Sequence, residues 1–136
     1  MTRVVDASVA CKWFFEETGS REARDILTAG PVAAPDLIVA EVANVAWRRV
    51  VQAEIRSDQA AAAMTGLLAV MDELVPCATL AKAALAMACK IGHPAYDCFY
   101  VALAEAREAV LVTGDRALLR RVAGTRWEPL VTPLLH

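Results

Sequence analysis

Four acidic residues lie in apolar stretches of the sequence, where a solvated surface position does not explain them. Each is surrounded by mainly apolar neighbours, and the four are Asp6, Glu41, Asp97 and Asp115. A carboxylate in such surroundings meets a desolvation penalty of several kcal/mol unless a cation or hydrogen-bond donors compensate it. We therefore take these residues, hereafter the four acids, as the candidate chemical groups of the chain.

The predicted positions of the four acids bring them to one edge of a sheet. Asp6 and Asp115 each follow a predicted strand, and in an open parallel sheet the ligand crevice lies at the carboxyl ends of the strands. Asp97 falls in the first turn of a predicted helix, and Glu41 lies about one turn into another. If both helices begin at that edge, we expect all four carboxylates to meet there.

The chemistry expected of such a cluster is metal-dependent hydrolysis. Four neighbouring carboxylates repel one another, and a divalent metal ion is the natural way to hold them together. Oxygen-only ligands favour Mg²⁺ or Mn²⁺ over Zn²⁺. A metal-activated water suits the cleavage of phosphodiesters, because metal ions also stabilise charge on the attacking and leaving oxygens. No serine, cysteine or histidine nucleophile is required.

The four acids lie in four segments of the chain, which are VDASVACKW (5–13), APDLIVAEVAN (34–44), HPAYDCFYVALA (93–104) and LVTGDRALL (111–119). Together these segments resemble the acidic motifs of PIN-domain ribonucleases, and more closely those of the VapC toxins of VapBC toxin–antitoxin pairs. No single motif is specific, but four in this order and spacing are a strong signal together. The resemblance runs from residue 4 to about residue 120, nearly the whole chain.

The resemblance implies a function for the four acids and for two hydroxyls. The acids would form the metal site of a Mg²⁺- or Mn²⁺-dependent endoribonuclease, and Ser8 and Thr113 match positions where the family often places a hydroxyl near the carboxylates. It also implies a homodimer, silenced by a cognate antitoxin whose C-terminal segment covers the active-site groove. One departure is Gly114, where the family often has Ala or Asn, which predicts a looser turn before the last acid.

The elements that must position these residues alternate between strand and helix. Strands are predicted at residues 3–6, 32–34, 74–76, 109–113 and 127–131, and helices at 20–29, 57–72, 79–91 and 117–122, with three more beginning near Ala7, Leu37 and His93. This alternation predicts an α/β domain with a mainly parallel sheet. With the resemblance, we expect one three-layer α/β/α PIN-like domain over residues 1–136, with a short central sheet of about four to five strands flanked by helices.

Composition and charge limit the class of protein. The chain is 57% hydrophobic with a formal net charge of −2, which argues against a DNA-coating protein but not against a local basic patch. No apolar run reaches the roughly 18 residues that a membrane-spanning helix needs. The four cysteines form no CxxC pair and an acid interrupts the N-terminal apolar run, so we expect a cytoplasmic protein with reduced thiols.

Three cations are candidates for binding RNA phosphates. Arg116 adjoins the last of the four acids, Arg120 follows on the same predicted helix, and Lys12 follows the first acid by six residues. Such contacts would position RNA without specifying its sequence. The alternative for the arginines is a solvated helix face.

Several neighbouring residues are predicted to be structural. Asp36, in a Pro-Asp pair before a helix, is predicted to be a helix cap and is left out of the site. A lone histidine before proline at a helix start is more often structural, so His93 is assigned no chemistry. Tyr96, Phe99 and Tyr100 are predicted to be a core stripe, because their spacing places them on one helix face.

Two other functions stay open at this point. One is a Mg²⁺-dependent phosphotransfer or phosphatase-like α/β domain, which also places acids at strand ends. An aspartate-nucleophile phosphatase would show a second acid two residues after the first, where this chain has Ser8. The other is a catalytically silent module that works only through a binding partner.

Overall fold

The computed structural model describes residues 1–136 and has a five-stranded, fully parallel sheet flanked by seven α-helices. The strands are β1 (Arg3–Val5), β2 (Val32–Pro35), β3 (Glu73–Val75), β4 (Val110–Thr113) and β5 (Val131–Pro133). The helices are α1 (Ala7–Phe14), α2 (Ser20–Ala29), α3 (Leu37–Val51), α4 (Ser57–Val70), α5 (Ala81–Ile91), α6 (Ala95–Arg107) and α7 (Arg116–Val122). The predicted α/β fold with four to five parallel strands is therefore confirmed.

The strand order is β3-β2-β1-β4-β5, so the first strand of the chain occupies the centre of the sheet. Val4 of β1 pairs with Ala33 of β2 on one side and with Leu111 of β4 on the other. All three residues are at most 1% exposed, as expected for a parallel strand covered on both faces. Because every strand is parallel, all five carboxyl ends meet at one edge.

The two helices that carry Glu41 and Asp97 are anchored by large buried side chains. Helix α6 packs against β1, β2 and β4, and its Tyr100 and Leu103 are almost completely buried. Helix α3 packs against α1 and β2 and buries Ile38 and Val42 completely. Burying one such side chain contributes about 1.5–3 kcal/mol, so the packing fixes both helix starts beside the strand ends.

Two helix ends adopt the left-handed conformation. Gly92 ends α5 with φ of 66°, which confirms it as the predicted helix stop. Glu108 ends α6 with φ of 51° and ψ of 42°, although it is not a glycine. A side chain with a Cβ is strained there, because the Cβ approaches the following carbonyl oxygen.

Three predictions about local structure are wrong. The last strand is not at residues 127–131: Glu128–Leu130 form a 3₁₀ turn, and β5 begins only at Val131. The Asp36 side chain does not cap α3 but accepts a hydrogen bond from the Cys77 N–H at 3.0 Å, which ties β2 to the segment after β3. Tyr96 is 65% exposed and so does not belong to the core.

The remaining predicted elements shift by a few residues, as expected at element ends. Helix α4 ends at Val70, short of the predicted residue 72, and β3 begins at Glu73. A 3₁₀ turn over Cys77–Thr79 precedes α5. No helix combines the length and the apolar character needed to cross a membrane.

Candidate active site

Asp6 lies at the carboxyl end of the central strand and is the N-cap of α1. Its Oδ1 accepts hydrogen bonds from the Ser8 hydroxyl at 2.5 Å and from the Val9 N–H at 3.2 Å. The Thr113 hydroxyl, from the end of β4, donates to Oδ2. Both hydroxyls that the resemblance placed near the acids therefore contact this carboxylate.

The environment of Asp6 disfavours its charged form. The residue is 8% exposed, and burial raises its pKa to about 6, with a smaller contribution from the negative charge of Asp97. The donors on Ser8, Thr113 and Val9 act in the opposite direction but do not cancel the burial. A carboxylate held this way gains stabilisation from any cation that reaches it.

The turn after β4 is tied to the start of α1 rather than loose. The Gly114 N–H donates to the Ser8 hydroxyl oxygen at 2.9 Å, and the Asp115 N–H donates to the Thr113 hydroxyl oxygen at 3.0 Å. A Cβ at position 114 would lie 3.3 Å from that Ser8 oxygen, so glycine permits the close approach. The looser turn expected from Gly114 is not observed.

Asp115 is the N-cap of α7. Its Oδ1 accepts from the N–H groups of Ala117 at 2.9 Å and of Leu118 at 3.2 Å. Both capping contacts use Oδ1, so the cap does not occupy Oδ2, and the Asp115 carboxylate lies close to that of Asp97.

Asp97 lies in the first turn of α6 and meets an unexpected partner. The Nε2 atom of His93, four residues earlier, lies 2.6 Å from Oδ2 of Asp97. One ligand atom from each of His93, Asp97 and Asp115 lies within 4.8 Å of the other two, which is a spacing that one metal ion could bridge. Burial raises the pKa of Asp97 and the charge of Asp115 raises it further, while the hydrogen bond from His93 lowers it.

Glu41 projects from α3 toward the same region. Its Oε1 accepts a hydrogen bond from the Tyr100 hydroxyl of α6. Burial raises the pKa of Glu41, and the negative charges of Asp97 and Asp6 raise it as well, against the effect of the tyrosine donor. The tyrosine is 1% exposed, so its hydroxyl is held between α3 and α6 by the surrounding core.

The structure brings the four acids to one edge of the sheet, where they divide into two pairs with different surroundings. Asp97 and Asp115 form the tight group with His93, whereas Asp6 and Glu41 face Asp97 electrostatically from outside that group. None of the four forms an ion pair with a lysine or arginine. Oxygen donors without a cationic partner fit a hard divalent ion such as Mg²⁺ or Mn²⁺.

Two residues of this region were not predicted to belong to it. The sequence predicts a structural role for His93 and a place in a core stripe for Tyr100. The available signal was spacing, since His93 precedes Asp97 by one helical turn and Tyr100 follows it by three residues. Helical spacing alone does not tell a core tyrosine from one that donates to a neighbouring helix.

The three candidate phosphate-binding cations differ in whether other groups of the protein already compensate their charge. The Lys12 ammonium donates to Glu17 at 2.9 Å and to the Thr18 carbonyl at 2.7 Å, so its charge is already compensated. Arg116 and Arg120 are exposed and have no ion-pair partner. A pocket of about 190 Å³ beside the Gly114 turn is lined by Lys12, Thr18, Thr113, Gly114, Arg116, Leu119, Pro133, Leu134 and Leu135.

Comparison with known proteins adds a family match and a curated relative. The family model described as "PIN domain" matches residues 3–125. The chain is 35% identical over 136 residues to Ribonuclease VapC3 of Pyrobaculum aerophilum, covering 98% of this chain and 100% of that protein.

Solved structures share the fold along nearly the whole chain. PAE2754 from Pyrobaculum aerophilum has a TM-score of 0.69 at 23% identity, covering 98% of this chain and 92% of that one. A toxin–antitoxin complex from Klebsiella pneumoniae has a TM-score of 0.70 at 18% identity, with 97% of both chains covered. VapBC2 from Rickettsia felis, bound to a DNA fragment from its promoter, has a TM-score of 0.67 at 12% identity, with 98% of both chains covered.

Proposed function

The chain belongs to the PIN domain family, and from this premise we propose that it is a metal-dependent endoribonuclease, the toxin component of a type II toxin–antitoxin pair. The ribonuclease activity follows the curated relative, which matches the chain end to end. The proposal places the activity in a single domain over residues 1–136, acting in the cytoplasm.

One observation carries the proposal: four carboxylates gather at the sheet edge without a lysine or arginine to compensate them. In water-poor surroundings such a group is costly unless a cation binds. The presence of all four acids argues against a catalytically silent module. We assign Asp6, Glu41, Asp97 and Asp115 as the residues that would hold Mg²⁺ or Mn²⁺.

When bound, the metal would supply an activated water and charge stabilisation for phosphodiester hydrolysis. The chain's own residues prepare the ligands. Ser8 and Thr113 hold the two oxygens of Asp6, while His93 orients Asp97 and Tyr100 orients Glu41. Outer partners of this kind fix the direction of a ligand and are typical of metal sites. Arg116 and Arg120, being free of ion pairs, would contact RNA phosphates.

The test is RNA cleavage by the wild type, Asp6→Asn and Asp97→Asn with Mg²⁺ or Mn²⁺. Losing even an outer partner of a metal site typically costs about 10–100-fold, so each ligand change should lower the cleavage rate by at least about 100-fold. Asp25→Asn, at an exposed position on α2, is the matched control and should cleave at the wild-type rate. Equal cleavage by all four proteins would contradict the proposal.

We also propose two protein partners. A cognate antitoxin would cover the groove beside the four acids, in line with the two toxin–antitoxin structures that share this fold. The chain would form a homodimer, and exposed apolar side chains such as Trp47, Val51 and Leu85 are available for protein contacts. Light scattering of the purified protein alone, and with the antitoxin co-expressed, tests both. A mass of one chain in isolation would contradict the homodimer.

A further inference from the structure

An open cleft lies between the end of α5 and the segment that follows α7. It has a volume of about 520 Å³, within the range of ligand sites in proteins, and is lined by Lys90, Ile91, Arg121, Thr125, Arg126 and Trp127. The Trp127 side chain is buried, and the Arg126 guanidinium stacks on its ring at 4.4 Å from the centroid. The cleft therefore combines a buried aromatic ring, held in place by the core, with three cationic side chains.

The charges of this cleft are largely uncompensated. Lys90 and Arg121 are exposed and form no ion pair, while Arg126 pairs with Glu105 at 3.1 Å. Both free cations lie in the last turn of a helix, where they complement the helix dipole. That effect explains why each helix ends in a cation, but it does not explain why the two ends open onto one cleft.

The cleft continues toward the four acids. A smaller pocket of about 200 Å³ is lined by His93, Ala117, Arg120 and Arg121. Arg121 lines both pockets, and His93 contacts Asp97. Lys90 lies in the last turn of α5, and His93 lies in the short turn that follows it before α6. The cations thus lie along a path that begins beside the proposed metal site and ends at the C-terminal end of α5.

We propose that this cleft, hereafter the basic cleft, binds the phosphodiester backbone of the RNA strand on one side of the bond to be cut. The inference rests on the proposed function, since the path starts at the hydrolytic site. Guanidinium groups match phosphate oxygens with paired N–H donors, and such contacts position a strand regardless of sequence. RNA is favoured over an acidic protein segment because the smaller pocket, which shares Arg121 with the cleft, reaches His93, and His93 contacts Asp97 of the proposed metal site.

The expected signature is a change in salt dependence. Each cation that binds a phosphate of a single strand adds about 0.7 to the slope of log affinity against log salt concentration. Lys90→Gln combined with Arg121→Gln should therefore reduce the slope by about 1.4. In the cleavage assay with metal, the KM should rise for an RNA of about 12 nucleotides and stay unchanged for one of about 4, which is too short to reach from the metal site into the cleft.

The experiment is fluorescence anisotropy of labelled RNAs in chelator-containing buffer, where no hydrolysis occurs, followed by cleavage assays with Mn²⁺. The matched control is Lys82→Gln combined with Arg48→Gln, two exposed cations without ion pairs that lie outside both pockets. The control should keep the wild-type slope. A drop in slope for the cleft variant alone, with a raised KM for the longer RNA, supports the proposal.

Two results would overturn it. One is an unchanged slope and KM in the cleft variant while the wild type cleaves RNA, which refutes the cleft and leaves the proposed function intact. The other is unchanged RNA binding together with lost binding of a polyglutamate peptide, which assigns the cleft to an acidic protein segment. A wild type that binds RNA through the cleft but never cleaves it refutes the proposed function instead.

Discussion

At the scale of single residues, each acid near the strand ends has a donor of its own. Asp6 has two hydroxyls, Asp97 has an imidazole and Glu41 has a phenol, whereas Asp115 uses one oxygen to cap α7. Hydroxyls and an imidazole fix a carboxylate in place without neutralising it as an arginine would. The group therefore keeps its affinity for a cation.

Asp6→Asn should stabilise the metal-free protein at alkaline pH. The folded-state pKa of Asp6 is about 6, above its ordinary value of 3.8, so folding favours the protonated form and the charged form costs stability as pH rises from about 4 to 6. At pH 8 the variant should have a free energy of unfolding about 3 kcal/mol above that of the wild type, because each pKa unit corresponds to about 1.4 kcal/mol. Urea unfolding with a chelator measures it.

The difference should shrink as pH falls from about 6 to 4 and disappear below about pH 3, where the wild-type carboxyl is protonated in both the folded and the unfolded state. Asp25→Asn, at an exposed position, is the control for removing one carboxylate from the chain. A variant less stable than the wild type at pH 8 would contradict the burial argument.

His93→Ala should weaken metal binding rather than folding. Without the imidazole, Asp97 loses the contact that holds its Oδ2, and losing such an outer partner typically costs about 10–100-fold in metal affinity. Titration of free Mn²⁺ by electron paramagnetic resonance measures the affinity directly. His93→Gln, which keeps an amide donor, should recover part of the loss, and His136→Ala is the control at the other histidine. Wild-type Mn²⁺ affinity in His93→Ala would remove His93 from the site.

The site residues differ in how well they can be predicted from the sequence. Asp6 and Glu41 could be singled out because a carboxylate in an apolar run needs a partner. His93 and Tyr100 could not, since their contacts depend on how α6 faces the strand ends and α3. Lys12 illustrates the converse, because only the fold shows that Glu17 and Thr18 already bind its ammonium.

At the scale of elements, alternating strands and helices predict this fold well where local signals agree. Gly92 ends α5 as its conformation requires. The last strand was misplaced because Trp127 looks like a strand residue but is a core contact before a 3₁₀ turn. Asp36 looks like a helix cap, but its side chain accepts a hydrogen bond from the backbone N–H of Cys77, 41 residues away. Long-range partners of this kind leave no local signal.

Glu108→Gly should stabilise the protein. Glu108 ends α6 in the left-handed region, where a Cβ costs about 1–2 kcal/mol and glycine is unstrained. We expect the free energy of unfolding to rise by about 1 kcal/mol, because glycine also loses more backbone entropy on folding. Urea unfolding measures the change. Glu108→Ala, which removes the charge but keeps the Cβ, should bring no comparable gain, and an equal gain would assign the effect to the charge.

At the scale of the whole molecule, the charge balance follows from the site. The formal net charge of −2 argues against wide binding of nucleic acid, yet a single bound divalent ion would cancel it. The free cations near Arg120 and in the basic cleft then act in a molecule without net negative charge. The RNA contact that we propose would therefore be local and would partly depend on the metal.

Metal binding should also raise the stability of the whole fold. A ligand that binds only the folded state stabilises it by about 2.7 kcal/mol at a concentration 100 times its Kd. Thermal unfolding of the wild type should therefore shift upward with Mn²⁺ and return to its starting value when a chelator removes the ion. Asp97→Asn should show little shift, and an Mn²⁺ shift of wild-type size in this variant would place the ion elsewhere.

The hydrogen bond from Thr113 to Asp6 joins residues 107 positions apart in the chain. Closing so long a loop costs conformational entropy, which must be lost before the contact can form. A partly folded chain that lacks β4 beside β1 would therefore lack the complete set of proposed metal ligands. The proposed activity would arise only once the central strands of the sheet have paired.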